Sequence, residues 1–452
     1  MAAIHFDLLL TPAGWRRDVS VAVEGGRVAA LEPGRVPGAE THRIGVPGLP
    51  NIHSHAFQRG MAGLAETRGP GADSFWSWRD TMYRFALAMT PEDAEAVAAQ
   101  GYAEMLESGF TRVGEFHYLH HDRDGRPYAD PAEMAQRIAA AAAETGIGLT
   151  LLPVFYARAG FDGAPAGPEQ RRFASTLDGY ARLLEASGRA LRGLDGANLG
   201  VAPHSLRAAS PDELRAVAGL AEGRPVHIHV AEQEQEVADC VAQRGARPVE
   251  WLLDHAPVDG RWCLVHATHM TDAESGAMAR SGAVAGLCPV TEADLGDGTF
   301  DATHFLAAGG RFGVGTDSNV AIDPAGELRQ LEYSQRLARR ARNVLAPPGG
   351  STGAALFDAA LAGGGAALGQ GASGVAVGAP ADLVSLDADH PALAGHGPGT
   401  VLDAWIFGAG RALVDCVWVR GEKRVEGGRH VARAAVRRRY AAAMARLAGG
   451  AA

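Results

Sequence analysis

Lysine is almost absent from this sequence of 452 residues. Lys423 is the only one, and all other Lys/Arg positions are arginine. Some metal-dependent hydrolases hold two metal ions with a carbamylated lysine on a core strand. Lys423 lies far towards the C-terminus, beyond every strand predicted for the central domain. The sequence therefore excludes that arrangement and favours a site with a single metal ion.

Cysteines and long apolar runs are also scarce. The four cysteines, Cys240, Cys263, Cys288 and Cys416, are widely spaced and form no Cys-x-x-Cys motif, which favours reduced thiols in the cytoplasm. No run reaches the roughly 18 apolar residues of a membrane span. The first residues lack the basic stretch and apolar core of a signal peptide. We therefore expect a cytoplasmic protein with no membrane partner.

Positive charge is in deficit as well. The formal net charge is −10, the isoelectric point is about 5.9, and no basic run precedes the C-terminal tail. A nucleic-acid partner is therefore not expected. Hydrophobic residues make up 47% of the chain and charged residues 21%, which is typical of a globular protein with a large core.

The central part of the sequence alternates between apolar strand-like segments and helical stretches. Helices are predicted at Pro91–Ser108, Pro131–Thr145 and Pro211–Ala221, two of them preceded by Thr90 or Ser210 as a cap. Eight strand–helix units predict a (β/α)₈ barrel. The predicted strands are Val46–Ile52, Thr111–Phe116, Gly148–Phe155, Leu199–Pro203, Pro225–Val230, Arg261–His266, Ala283–Pro289 and Arg311–Thr316.

Further strands are predicted at both ends of the chain. They are Ile4–Leu10, Val19–Val23 and Val28–Leu31 before the barrel, and Ala381–Leu386, Leu402–Phe407 and Ala412–Arg420 after it. The simplest assembly pairs the two ends. The predicted fold is thus an α/β protein with a TIM barrel at 47–375 and a small β-sandwich domain built from 1–46 and 376–430. Residues 431–452 are expected to form a C-terminal helix and tail.

Four histidines and an aspartate lie where the predicted barrel strands end. His53 and His55 are two residues apart, so they point to the same face of a strand. His229, His266 and Asp317 follow the fifth, sixth and eighth strands. Active sites of such barrels lie at this face, and neutral imidazole with carboxylate suits zinc. We predict one Zn²⁺ per chain, with Fe²⁺ as an alternative, bound by His53, His55, His229 and Asp317.

Glu232 follows His229 by three residues and is a candidate proton carrier. It lies too far along to share the strand face, but close enough to reach a substrate beside the metal. A carboxyl group there can move protons between water and a leaving nitrogen. We predict Glu232, His266 and Asp317 as the catalytic residues, with Asp317 and His266 placed to take the water's proton and to polarise the attacked group.

These residues resemble the deaminase branch of the amidohydrolase superfamily, and the resemblance extends over essentially the whole chain. Within that branch the sequence looks like the formimidoylglutamate deiminase family of histidine degradation. The matching segments are His53-Ser-His-Ala-Phe-Gln-Arg-Gly, Ser74-Phe-Trp-Ser-Trp-Arg, Glu115-Phe-His-Tyr-Leu-His, Ala202-Pro-His-Ser-Leu-Arg and His229-Val-Ala-Glu-Gln.

The resemblance implies a small anionic substrate, N-formimino-L-glutamate, with two carboxylates and a cationic head. Arg79, expected in the loop after the first strand, and Arg207, after the fourth, can each form a bidentate pair with a carboxylate. By resemblance, Gln58, Tyr118 and His204 complete the pocket. Two positions depart from the family pattern, where a small polar residue and an asparagine are expected: Val290 and Asp294. An aspartate near an anionic ligand would bear on substrate identity.

The implied reaction is hydrolysis by a metal-activated water to N-formyl-L-glutamate and ammonia. Two alternatives stay open at this point: a related deaminase acting on a purine or triazine ring, and one acting on another acidic amidine or guanidine. A non-catalytic barrel is disfavoured because the full set of ligands is present. The superfamily resemblance also implies a homodimer.

Overall fold

Strands occur in three groups along the chain. The structure, a computed structural model, describes residues 2–68, 74–371 and 373–449. The first group is β1 (Ala2–Thr11), β2 (Gly14–Glu24), β3 (Arg27–Pro33) and β4 (Glu40–Pro47). The second is β5 (Leu49–Ser54), β6 (Phe110–His117), β7 (Gly148–Phe155), β8 (Asn198–Leu199), β9 (Ala202–Pro203), β10 (Val226–Val230), β11 (Trp262–His266), β12 (Val284–Leu287) and β13 (Arg311–Val314). The third is β14 (Leu383–Leu386), β15 (Val414–Val419), β16 (Glu422–Glu426) and β17 (Arg429–His430).

Helices lie between the strands of the second group and also after its last strand. None of those in the described residues combines the length and the apolar character needed to cross a membrane. They are α1 (Phe75–Ala88), α2 (Pro91–Ser108), α3 (Glu133–Thr145), α4 (Leu177–Ala190), α5 (Pro211–Gly219), α6 (Glu234–Arg244), α7 (Pro248–His255), α8 (Asp272–Ser281), α9 (Pro289–Leu295), α10 (Ala302–Ala307), α11 (Pro324–Arg339), α12 (Thr352–Ala367), α13 (Val401–Ala404) and α14 (Arg433–Gly449).

Capping residues set the start of several of these helices. The Thr90 hydroxyl accepts from the Asp93 backbone N–H, and the Asp93 carboxylate accepts from the Thr90 N–H, so two otherwise unpaired donors are satisfied. Ser210 and Glu213 form the same box before α5. The predicted helix Pro91–Ser108 is confirmed with both of its ends.

The middle strands form a closed parallel barrel. β5 to β8 make one run, with β9 paired to β7, and β10 to β13 make the other. Parallel bridges join the two runs on both sides: Ser54 pairs with Asp317, and Val201 pairs with Val226. The predicted (β/α)₈ barrel is therefore confirmed.

The barrel interior is packed around Ile52 of β5, which is fully buried. A Cβ atom at Gly286 or at Gly313 would lie 2.9 Å from the Ile52 side chain, and one at Gly114 would lie 2.5 Å from its carbonyl oxygen. Because real Cβ atoms do not approach that closely, three neighbouring strands need glycine here. This close approach brings the carboxyl ends of the strands together.

The two ends of the chain share one eight-stranded sheet. Its strand order is β17-β16-β15-β14-β4-β1-β2-β3, with β1 and β4 parallel and the other pairs antiparallel. The pairing of β4 with β14 joins the N-terminal strands to the C-terminal ones. β5, the first barrel strand, directly follows β4, so the eight-stranded sheet fixes the position at which β5 starts.

Three predicted strands differ in the structure, and one of them, Leu199–Pro203, is broken into β8 and β9. Val46 belongs to β4 in the eight-stranded sheet, and the barrel strand starts only at Leu49. The prediction joined the two strands because one continuous apolar run spans both and hides the break at Gly48. Leu402–Phe407 is helical rather than extended: α13 continues into a π-helical turn, Trp405–Ala409. Short apolar runs fit a buried strand and a buried helix equally well.

Candidate metal centre and active site

Four side chains converge at the carboxyl end of the barrel. His53 and His55 lie at the end of β5, His229 lies in β10, and Asp317 follows β13; all four are buried. One ligand atom from each lies within 4.8 Å of all the others. The Nε2 atoms of His53 and His229 are 3.0 Å apart, and His55 Nε2 is 3.1 Å from Asp317 Oδ1. The predicted ligands are therefore gathered around one point.

Carbonyl groups fix the tautomers of two of these imidazoles. His55 Nδ1 lies 2.9 Å from the Phe116 carbonyl oxygen, and His229 Nδ1 lies 3.0 Å from that of His204. A carbonyl only accepts, so each Nδ1 must carry the proton and each Nε2 must offer its lone pair. Metal-binding histidines are held in this way.

The ionisation states of the candidate ligands also suit a metal ion. Burial lowers the pKa of His53 to about 3, so this imidazole is neutral, as a ligand must be. Burial alone would raise the pKa of Asp317, but the adjacent imidazoles of His53 and His55 hold it well below its usual range. Neutral imidazoles with one carboxylate fit a divalent cation such as zinc.

Left-handed backbone conformations cluster at the ends of these strands. His266, Asp317 and Asn319 have φ values of 66°, 43° and 58°, which non-glycine residues rarely adopt. Asn319 offsets this strain, since its Nδ2 donates to Ser54 Oγ and to the carbonyl oxygens of His55 and Asp317. Sequence reasoning missed Asn319; its place two residues after Asp317 was the available signal.

His266 stands beside the metal ligands among three carboxylates. Its Nε2 lies 3.8 Å from Glu232 Oε1 and 3.9 Å from Asp317 Oδ2, and its Nδ1 lies 3.2 Å from Glu292 Oε1. Burial alone would lower the pKa of His266, but these carboxylates raise it to about 10. Glu292 was also missed from the sequence; it follows the seventh barrel strand, as a site residue would.

Glu232 lines the same cavity as His266. Its Oε2 atom lies 3.9 Å from the Arg207 guanidinium, and its side chain is nearly fully buried. Burial raises its pKa, although the charges of His266 and Arg207 act in the opposite direction. A carboxyl group with a raised pKa can both accept and return a proton near neutral pH.

Arg79 and Arg207 lie together at the other end of the cavity. Arg79 is on α1, not in a loop as predicted, because Ser74 caps a helix that starts at Phe75. The Cζ atoms of Arg79 and Arg207 lie 4.5 Å and 6.0 Å from the Trp76 ring centre. Each guanidinium has a buried Nε with no hydrogen-bond partner among the described residues.

Gln58, Tyr118 and His204 line the wall between the two ends of the cavity. Gln58 Nε2 donates to the Tyr118 hydroxyl at 2.7 Å. The His204 ring centre lies 4.9 Å from that of His229, and burial together with the Arg207 charge holds its pKa well below its usual range. These predicted substrate contacts therefore surround one cavity, with His204 neutral.

The cavity encloses about 590 Å³ of space including its open mouth. Apolar side chains complete it, among them Phe75, Trp78, Met82 and Leu295. The two departures from the family pattern do not line it. Asp294 is exposed, and the Val290 backbone N–H donates to Glu327. Our expectation that Asp294 lies near an anionic ligand is therefore wrong, since α9 turns that side chain outwards.

Comparison with known proteins agrees with this geometry. Residues 44–424 match the family model "Amidohydrolase family", and residues 1–44 match "Formimidoylglutamate deiminase HutF, N-terminal domain". The formimidoylglutamate deiminase of Pseudomonas aeruginosa is 52% identical over 95% of this chain and 96% of its own length. The chain belongs to the formimidoylglutamate deiminase family of amidohydrolases.

Solved structures of other amidohydrolases share the fold. An amidohydrolase from Brucella melitensis has 60% sequence identity and a TM-score of 0.96, over 99% of this chain and 100% of its own. An adenosine deaminase from Xanthomonas campestris, solved with bound zinc, has 26% identity and a TM-score of 0.83, over 99% and 98% of the two chains. Together with the four converging ligands, this family membership assigns a divalent metal site to the barrel.

Substituting Gly315 tests how tightly the centre is built. A Cβ atom there would lie 2.7 Å from the backbone nitrogen and oxygen of His53. Gly315→Ala must therefore displace His53, and we expect metal affinity to fall about 10–100-fold. The measurement is metal content by mass spectrometry after dialysis against a competing chelator. Gly219→Ala is the matched control, because its Cβ would meet nothing within 4 Å; equal metal retention in the two variants would contradict the account.

Proposed function

We propose that this chain hydrolyses N-formimino-L-glutamate to N-formyl-L-glutamate and ammonia, a step in histidine degradation. The observation that carries the proposal is the pair of arginines, Arg79 and Arg207, whose buried Nε atoms are unpaired within the described residues. Unpaired buried donors are costly unless a ligand satisfies them. A carboxylate bound by two guanidinium groups satisfies both. Membership of the formimidoylglutamate deiminase family supports the same substrate.

The charge distribution in the cavity matches this substrate. Arg79 and Arg207 make one end basic, and Glu232, Glu292 and Asp317 make the metal end acidic. N-formimino-L-glutamate has carboxylates on one side and a cationic formimino head on the other. Binding in this orientation places the head beside the metal ligands, where hydrolysis must occur.

We propose zinc as the metal, with Fe²⁺ as the alternative ion. His53, His55, His229 and Asp317 would hold it, and three imidazoles with one carboxylate suit both ions. The chemistry that zinc supplies in such a site is a pKa of water lowered from about 15.7 to about 7. The open side of the cluster faces the cavity, where water and substrate would meet.

The remaining steps belong to the chain's own side chains. We propose that Asp317 accepts the proton of the attacking water. His266, held between Glu292 and the cavity, would polarise the attacked group. Glu232 would carry a proton to the leaving nitrogen, so that ammonia departs. Its position between His266 and Arg207 lets it reach the head of a substrate anchored at the arginines.

The proposal also covers the binding partner of the protein and its cellular setting. The basic end of the cavity supports a small anionic substrate. Four buried free thiols are compatible with a reducing, cytoplasmic setting. A homodimer stays a prediction. Purine and triazine deamination are the competing activities, and guanine and adenosine serve as comparison substrates in the assays below.

Arg207→Met tests the proposed substrate. Losing a bidentate contact with a carboxylate should lower kcat/KM for ammonia release from N-formimino-L-glutamate by at least about 100-fold. Arg215→Met is the matched control, since Arg215 is exposed and, among the described residues, pairs only with Asp212. The proposal fails if Arg207→Met matches this control, or if the wild type prefers guanine or adenosine.

Glu232→Gln tests the proposed proton carrier. Glutamine keeps the shape of Glu232 but cannot take up a proton, so kcat should fall about 100–10,000-fold. Metal content should stay at the wild-type level, because Glu232 is not among the four ligands. Glu234→Gln, two residues away and exposed, should leave kcat unchanged. A Glu232→Gln enzyme that remained within a few-fold of wild type would remove this residue from the mechanism.

A further inference from the structure

A buried glutamine adjoins the basic end of the cavity without lining it. Gln170 is 3% exposed and lies in a short turn between β7 and α4. Its Oε1 atom accepts from the Gly167 backbone N–H at 2.8 Å. A backbone N–H only donates, so this contact settles which end of the amide is oxygen and which is nitrogen.

The amide nitrogen of Gln170 meets two phenol groups. Nε2 donates to the Tyr156 hydroxyl at 2.8 Å and to the Tyr83 hydroxyl at 3.1 Å. Because an amide nitrogen cannot accept, both phenol oxygens are acceptors in these bonds. Each tyrosine must therefore direct its own hydroxyl proton elsewhere.

At most one of these two protons is used within the cluster. A hydrogen bond between the Tyr156 and Tyr83 hydroxyls would use only one of their two protons. In residues 2–68, 74–371 and 373–449, no other protein acceptor is bonded to either hydroxyl proton. At least one O–H is left to donate into the cavity that both tyrosines line.

The two hydroxyls lie at the arginine end of that cavity. The Tyr83 ring centre is 5.5 Å from Arg79 Cζ, and the charges of Arg207 and Arg79 both act on Tyr156. Burial raises the pKa of Tyr156 well above its usual range, so the phenol remains a neutral donor. A carboxylate has about four acceptor positions, more than one guanidinium fork fills.

We propose that Gln170 is a positioning residue that orients Tyr83 and Tyr156 as hydrogen-bond donors to a carboxylate of the substrate. The inference rests on the proposed function and deepens it, since it adds neutral donors to the two arginines. Gln170 itself does not touch the substrate. It acts by occupying the acceptor side of both hydroxyls, so that their protons face the ligand.

Gln170→Glu reverses the direction of these hydrogen bonds with almost no change in shape. The new carboxylate accepts from the hydroxyls and turns their protons away from the cavity. We expect KM for N-formimino-L-glutamate to rise about tenfold, the value of one hydrogen bond to a charged group, with kcat within twofold of wild type. Gln243→Glu, the same change at an exposed position, should leave both constants unchanged.

Two substrate analogues identify the carboxylate that is recognised. N-formimino-4-aminobutyrate lacks the α-carboxylate, and N-formimino-L-2-aminobutyrate lacks the side-chain carboxylate. The effect of Gln170→Glu should largely disappear with one analogue and persist with the other. A wild-type enzyme inactive on N-formimino-L-glutamate would refute the proposed function itself, which separates that failure from the failure of this inference.

Combining the substitutions separates orientation of the tyrosines from simple charge repulsion. In a Tyr83→Phe/Tyr156→Phe background, Gln170→Glu should change KM by less than twofold, because the groups through which it acts are gone. If the double variant is unstable, Gln170→Glu should raise KM less in the single Tyr83→Phe background than in the wild type, because only Tyr156 remains for it to act through. An equal rise in KM in both backgrounds, or a fall in kcat and metal content instead of a rise in KM, would overturn the proposal.

Discussion

Backbone pairing between the end of β5 and the segment that follows β13 both closes the barrel and assembles the candidate metal centre. The His55 N–H donates to the Asp317 carbonyl oxygen at 2.9 Å, and the Asp317 N–H donates to that of His53 at the same distance. Ligands from the first and last barrel strands are thus placed together by main-chain bonds. Gly315 makes this approach possible, and the amide of Asn319 ties both segments together.

The rest of the site is arranged around that junction as a cavity with two unlike ends. Carboxylates and imidazoles surround the metal end, where protons must move. Guanidinium and phenol groups surround the other end, where Arg207 lies 3.9 Å from Glu232. In the proposed function the hydrolysis takes place at the first end. In the proposed function the substrate is recognised at the second end, which is built from α1 and the segments after β7 and β9.

Much of the fold and of the candidate metal centre could be predicted from the sequence. The spacing of His53 and His55 and the strand–helix alternation are visible in the local sequence, so the barrel and its candidate ligands could be predicted. The roles of Glu292, Asn319 and Gln170 could not, because they depend on contacts with His266, His55 and Tyr83, which lie in other segments of the chain. Leu402–Phe407 was misassigned for a different reason: its apolar run fits a strand as well as a helix, and only packing decides.

The central claim is that four side chains from the first, fifth and eighth strands hold one divalent ion. A crystal structure of the purified protein, with anomalous data collected above and below the zinc edge, tests it most directly. The account predicts one strong zinc peak per chain, bonded to His53, His55, His229 and Asp317. A map with no metal peak there, or with two metals in the barrel, would contradict it.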